Sequence, residues 1–299
     1  MKSKNTSYGI LTLLLLALGL YVGRGNFTSD EEPEEAEEAA LGTISGGSVD
    51  LDEETGGAVS ELYSSNLTAT APIELPRGGK DHGIRITHTG YTLSYDTLNH
   101  NPFWVAWELT AQESRGREER ADSFLLDPQL PERHAVRESS YRGTGYTRGH
   151  MCPAGDQKWS EDAMHDSFYM SNMCPQTREL NKDWWDMLER KEREWARREG
   201  SVYIACGPIY EPGRKVKPLK KGFFIGIPHK FFKVILSTSK GREKAIGFIY
   251  RNDASEQLME DTMCSIDEVE RLTGYDFFAP LEDDLENRIE ATADLSQWP

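Results

Sequence analysis

Three short stretches carry side chains whose types and spacing suit chemistry. They are Tyr146-Thr-Arg-Gly-His-Met-Cys-Pro-Ala-Gly-Asp156, Phe168-Tyr-Met-Ser-Asn-Met-Cys-Pro-Gln176 and Asn181-Lys-Asp-Trp-Trp-Asp-Met-Leu-Glu189. In each, ionisable or amide groups stand among Gly, Pro and apolar neighbours, the setting of a site held by rigid structure. The imidazole of His150 can take a proton from water near neutral pH. An amide oxygen is a weak neutral ligand that suits a magnesium ion keeping most of its waters. Arginine forks match phosphate oxygens and stay charged, and Arg148 offers one within the first segment. Hydrolysis of a phosphodiester needs a base for the attacking water, charge on the phosphoryl oxygens and help for the leaving oxygen. A hard cation can supply the last two.

Such a set has to be positioned by rigid elements. Ile84 to His88, Thr92 to Tyr95 and Phe103 to Leu109 read as short strands, rich in β-branched or aromatic residues and bounded by Gly, Asn and Pro. Val202 to Cys206, Phe231 to Ser237 and Ala245 to Tyr250 read as further, buried strands. The clearest helix runs from about Lys182 to Arg198, with Trp184, Leu188 and Trp195 on one face. A second starts at Ser265, where Glu268 completes a capping box, and a third covers Leu281 to Thr292. No internal repeat is visible. The order is mixed rather than a regular β-α alternation, which predicts an α+β fold: a mixed or antiparallel central sheet flanked by helices.

In order and spacing, the three segments resemble the DNA/RNA non-specific endonucleases, a family built on a ββα-metal motif. The shared pattern is Arg148-Gly149-His150, then Asn172 to Gln176, then Asn181 to Glu189, and the resemblance covers nearly all of Ile84 to Leu281. It implies His150 as general base and Asn181 as the one direct protein ligand of Mg2+, with Mn2+ as a substitute. It implies that Asn172 supports the His150 region and that Glu189 acts through water or by orienting neighbours. Standard helix geometry agrees for Glu189: eight residues beyond Asn181 make about 12 Å of rise and roughly 80° of rotation. Arg148 lies within the motif, and Arg120 matches an upstream arginine that touches the scissile phosphate. DNA and RNA are the implied substrates, cut to leave 5′-phosphate ends with little base specificity. A homodimer is left open. The chain departs from the pattern at Thr147, where most relatives carry Asp.

Composition narrows the alternatives. The 299 residues include 34 Lys+Arg and 50 Asp+Glu, a formal charge of −16. Residues 1–60 hold three basic and eleven acidic side chains, so half of the excess sits in one fifth of the chain. Ten per cent aromatics with seven Trp suits a packed core and excludes a wholly disordered or collagen-like chain. Lys2 and Lys4 precede an apolar run from Tyr8 to Gly23, which predicts a signal peptide or signal anchor over 1–26. The bias of positive charge then predicts an exported protein, periplasmic or extracellular, with membrane contact only through that segment. The acidic stretch 27–68 reads as a flexible linker and 69–299 as the nuclease domain. The basic residues Arg214, Lys215, Lys217, Lys220 and Lys221 read as a solvated loop first and a substrate track second.

Cys152, Cys174, Cys206 and Cys264 permit three full disulfide pairings, or stand as small buried thiols. A zinc site from His150, Cys152 and Cys174 lacks a recognised ligand spacing. Trp184, Trp185 and Trp195 read as core. The leading expectation is therefore a magnesium-dependent endonuclease for DNA and RNA. The alternative is a catalytically weak or silent nucleic-acid-binding protein on the same fold, through Thr147. A phosphodiesterase for a different substrate is the third reading.

Overall fold

Strand Asn101–Thr110 shows why two layers must cover the sheet: Trp104 and Ala106 point to one face, Val105, Trp107 and Leu109 to the other, and all five are buried. A strand apolar on both sides cannot leave either face in water. The computed structural model describes residues 72–79 and 82–299, so the expected segments 1–26 and 27–68 lie outside the described residues.

In chain order the first strands are β1 (Arg77–Gly78), β2 (Ile84–Thr87), β3 (Thr92–Asp96), β4 (Asn101–Thr110), β5 (Thr147–His150) and β6 (Met173–Gln176). They are followed by β7 (Ser201–Ile209), β8 (Lys217–Pro218), β9 (Gly226–Ile227), β10 (Lys230–Ser237), β11 (Lys244–Arg251), β12 (Met263–Cys264) and β13 (Tyr275–Asp276). The α-helices are α1 (Glu161–Ser167), α2 (Asp186–Glu199), α3 (Met259–Thr262), α4 (Ile266–Thr273) and α5 (Asp283–Glu290). Seven strands form one sheet in the order β12-β11-β10-β7-β4-β3-β2, with every neighbouring pair antiparallel. Of the expected mixed or antiparallel sheet, the structure has the antiparallel form. Pro102 lies where the β3–β4 register shifts, a bulge that spares the ladder a missing N–H.

The front face packs Val105, Trp107, Ile204, Phe231, Ile235 and Phe248 against Trp185, Leu188 and Trp195, and against Met151 and Cys152 of the first segment. On the back face, Trp104, Ala106, Phe232, Val234 and Leu236 meet Ile266 and Val269 of α4, Ile289 of α5 and Phe277. Leu188 is fully buried, so truncating it to Ala should cost about 2–5 kcal/mol.

The long helix differs from its expected form at the start. Leu180–Trp185 is a π-helical stretch leading directly into α2. This wider turn takes more residues per revolution and rotates what precedes it. Trp185 therefore joins Leu188, Trp195 and Ala196 in the core, while Trp184 is half-buried at the edge. Gly200 ends α2 at φ 95, a conformation glycine adopts without strain. On the back face Ser265 accepts from the Glu268 amide at 3.1 Å, and Gly274 at φ 77 closes α4. α1 was not legible as a helix. It has seven residues, capped by Ser160, too few to show a period.

Candidate active site

β5 and β6 pair antiparallel, with His150 opposite Met173 and Gly149 opposite Cys174, and β6 leads through Thr177 into the π turn. That is a ββα unit laid on the front of the sheet. Gly149 is required there because a Cβ would overlap the Gln176 side chain.

The His150 segment is pinned from two sides. The buried Asn172 accepts from the Cys152 amide at 2.9 Å and donates to the Cys152 and Ser167 carbonyls at 2.8 and 2.9 Å. Its carbonyl takes the Met151 amide at 2.9 Å. From the helix side, the Trp185 indole donates to the His150 carbonyl at 3.3 Å. The imidazole stands edge-on to Phe168, centroids 5.0 Å apart, and 5.8 Å from Phe124. Only 7% of the residue is exposed, and its Nε2 has no hydrogen-bond partner. Burial, reinforced by the positive charges of Arg120 and Arg148, lowers the imidazole from 6.5 to about 3. The ring is neutral at physiological pH, the state a general base requires.

His150, Asn181, Asp186, Glu189 and Arg120 line one cleft of about 310 Å³. The Asn181 amide donates to Thr147 Oγ1 at 2.8 Å, and Thr147 in turn donates to the Gln176 carbonyl at 3.0 Å. With its NH2 tied, Asn181 is left with Oδ1 as its metal-binding atom. Among the described residues the Glu189 carboxyl has no hydrogen-bond or ion-pair partner, and burial pushes it up to about 8, with Lys233 opposing. Asp186 is engaged by Arg190 at 2.6 Å. An amide oxygen, a half-buried carboxyl and a second carboxylate around a small cleft form a hard-oxygen donor set, which fits a hydrated magnesium ion. Asn181 stands in the π turn and Glu189 in α2, so the purely α-helical spacing does not apply between them, and both line the same cleft.

The two arginines differ. Arg120 lines the cleft and stacks over Phe168 at 5.1 Å. Arg148 does not line it: its guanidinium pairs with Glu138 at 3.0 Å and lies 4.6 Å over Phe124. Arg214, Lys215 and Lys217 line a separate small cleft with Tyr146 and His229. All four cysteines are free, and among the described residues His150, Cys152 and Cys174 do not converge as a metal site.

Beneath Glu189 lies a group of residues that motif reading missed. Lys233 on β10 meets Glu192 at 2.9 Å, both fully buried, and Arg193 meets the buried Asp156 at 2.8 Å. Asp156 also accepts from the Trp107 indole at 3.1 Å. The available signal was Lys233 itself, a charge inside the otherwise apolar run Phe231 to Leu236, which demands a partner.

A ββα unit carrying a neutral histidine beside an oxygen-donor cleft defines a nuclease of the ββα-metal class. The model of the DNA/RNA non-specific endonucleases matches residues 74–284. This chain belongs to that family, and it is a nuclease, a hydrolase of the metal-dependent kind the family comprises. Mitochondrial nuclease EXOG of Xenopus laevis is 30% identical over 248 residues, 76% of this chain and 69% of the relative. Nuclease 1, mitochondrial, of Schizosaccharomyces pombe is 33% identical over 62% of this chain and 60% of its own length. Mitochondrial endonuclease G of Bos taurus is 30% identical over 73% of each chain. A chain in the crystal structure of the EndoG/EndoGI complex superposes with a TM-score of 0.66 at 27% identity, covering 76% of this chain and 97% of that one.

These relatives correct one expectation. The N-terminal charge pattern predicts export to the periplasm or exterior, or a tether there, whereas the matching nucleases are mitochondrial. A basic pair before an apolar run orients a segment across a membrane without saying which membrane. Among the described residues, no helix is long and apolar enough to cross one.

Proposed function

We propose that this nuclease cuts both DNA and RNA without sequence preference, with His150 as the general base and Mg2+ held by Asn181. The observation that carries the proposal is that a neutral His150 lines one cleft with Arg120, Asn181 and Glu189. His150 takes a proton from the attacking water, and the resulting imidazolium is tolerated because the phosphate brings negative charge to it. Arg120 binds phosphoryl oxygens from the same cleft, while Phe168 orients its guanidinium. Asn181 would hold a magnesium ion, with Glu189 and Asp186 placed to hold its waters, and the ion would supply neutralisation of the charge that develops at the phosphate. Glu189, kept neutral by burial, ionises as positive charge enters the cleft. Asn172 fixes the backbone on which His150 is mounted. Phosphate contacts carry no base information, so either sugar and any sequence is accepted, and products carry 5′-phosphate ends.

The silent alternative rests on Thr147, yet the Thr147 hydroxyl keeps an acceptor on the Asn181 amide. The deciding experiment incubates the purified protein with supercoiled plasmid and with RNA, comparing Mg2+, Mn2+ and EDTA. Metal-dependent loss of both substrates, abolished in His150→Ala and Asn181→Ala, is the expected result. Folded wild-type protein that cuts neither substrate with either ion would transfer the argument to the binding-only reading.

A further inference from the structure

On the back of the sheet three carboxylates converge. Asp267 and Glu270 stand on α4 at i and i+3, which places them on one helix face, and Glu290 is the last residue of α5. One ligand atom from each lies within 4.8 Å of the other two. Asp267 is exposed and Glu270 half-buried, but Glu290 is only 4% exposed. Its Oε1 is sealed from water and has no hydrogen-bond partner among the described residues. Glu270 is already oriented, since its Oε1 accepts the Phe277 amide at 2.8 Å.

The surroundings give Glu290 no relief. The charges acting on it most are Glu270, Glu286, Asp267 and Asp276, all acidic, and Arg77 of β1 is felt at Glu286. Burial and these neighbours push its carboxyl up to about 9. Its place in the last turn of α5 sets it at the negative end of the helix dipole. Buried carboxylates are normally paired or on a metal, and unpartnered buried polar atoms are rare. Here the fold brings the oxygens together, and no Lys, Arg or His among the described residues forms an ion pair with any of the three; Arg271 pairs instead with the neighbouring Glu268.

We propose that Asp267, Glu270 and Glu290 bind a calcium-sized divalent cation that ties α4 to the end of α5. Calcium accepts about six to eight oxygens in flexible geometry, which suits carboxylates brought in by two different helices, whereas magnesium demands a near-ideal octahedron. The exposed Asp267 gives the ion an entry path and leaves room for water to complete its shell. Glu290 lies beyond residues 74–284, so the site extends outside the stretch matched by the family. It sits on the opposite face of the sheet from the His150 cleft, making it a structural rather than a catalytic ion.

The test uses the full chain stripped with EDTA and titrated with CaCl2, following calorimetric stoichiometry and Tm. Asn181→Ala removes the catalytic ion from the count. Wild type and Asn181→Ala should each show a back-face calcium, with Tm raised by about 5–10 °C at a hundredfold excess over Kd. Glu290→Gln and the double variant Asp267→Asn/Glu270→Gln should lose that ion and the Tm response, yet cut plasmid in Mg2+ at the wild-type rate. Equal calcium binding in wild type and Glu290→Gln overturns the proposal. So does an Asn181→Ala protein that binds none, which would leave the carboxyls sharing a proton instead.

Discussion

Both faces of the sheet bury carboxylates, and they treat them differently. In front, Glu192 and Asp156 are wholly buried and each has a cation from another element, Lys233 on β10 and Arg193 on α2. At the back, Glu290 is buried among other acids, with no ion pair to it among the described residues. A buried ion pair gains little net stability over an apolar replacement. Its use in front is positional. Glu192 and Arg193 lock α2 to the sheet and to the motif loop one turn after Glu189, which leaves Glu189, Asn181 and His150 facing the cleft. The front thus neutralises its supporting charges internally and reserves its unpaired groups for substrate and metal.

The largest effect should come from breaking the front pair alone. Lys233→Met leaves Glu192 buried without a partner, and urea unfolding should show a loss of about 3–5 kcal/mol. The double variant Lys233→Met/Glu192→Leu should recover most of it, because neither charge is then stranded. In metal-free buffer Glu290→Gln should be no less stable than wild type. A Lys233→Met protein as stable as wild type would remove the contrast between the faces.

Thr147 sharpens the front side at the next scale. Its hydroxyl holds the Asn181 amide at 2.8 Å, so Thr147→Ala frees the ligand to turn. The Mg2+ concentration for half-maximal cleavage should rise about 10–100-fold, the usual cost of losing a partner that orients a ligand. Thr147→Ser keeps the hydroxyl and should behave as wild type. Unchanged metal demand in Thr147→Ala would mean that Asn181 is oriented by other contacts.

Much of the front was readable from residue patterns. The six main strands were legible because each is a short apolar run between breakers, and the start of α4 because Ser265 caps it. The cleft was legible in part. His150, Asn181, Glu189 and Arg120 converge, whereas Arg148 turns to Glu138, a contact between distant segments that no local pattern encodes. The π turn was illegible because its cause is tertiary: Trp185 has to reach both the core and the His150 carbonyl. The Glu290 cluster was illegible because it joins two helices that sequence leaves unplaced.

Acidification offers a third test. His150 titrates near 3 in the fold against an ordinary 6.5, so between those values the unfolded chain binds the extra proton and stability falls with pH. The contribution is whole above about pH 6.5 and is lost progressively toward pH 3. Relative to His150→Ala, wild type should lose about 2 kcal/mol on going from pH 7.5 to 5, by urea unfolding at each pH. Parallel stability curves for the two proteins would mean that His150 is hydrated in solution.

The smallest effect concerns the rim. Arg148 and Glu138 are both about a third exposed, at 32% and 35%, so Glu138→Gln should change stability by less than about 1 kcal/mol. Its informative readout is the salt dependence of KM on plasmid. If Glu138 holds Arg148 away from the substrate, the variant gains one phosphate contact and the slope of log KM against log salt steepens by about 0.9. If Arg148 reaches phosphate already, Glu138→Gln leaves the slope alone while Arg148→Gln flattens it by the same amount. If neither variant moves it, Arg148 acts only through Phe124, as one side of the apolar wall that keeps the His150 imidazole neutral.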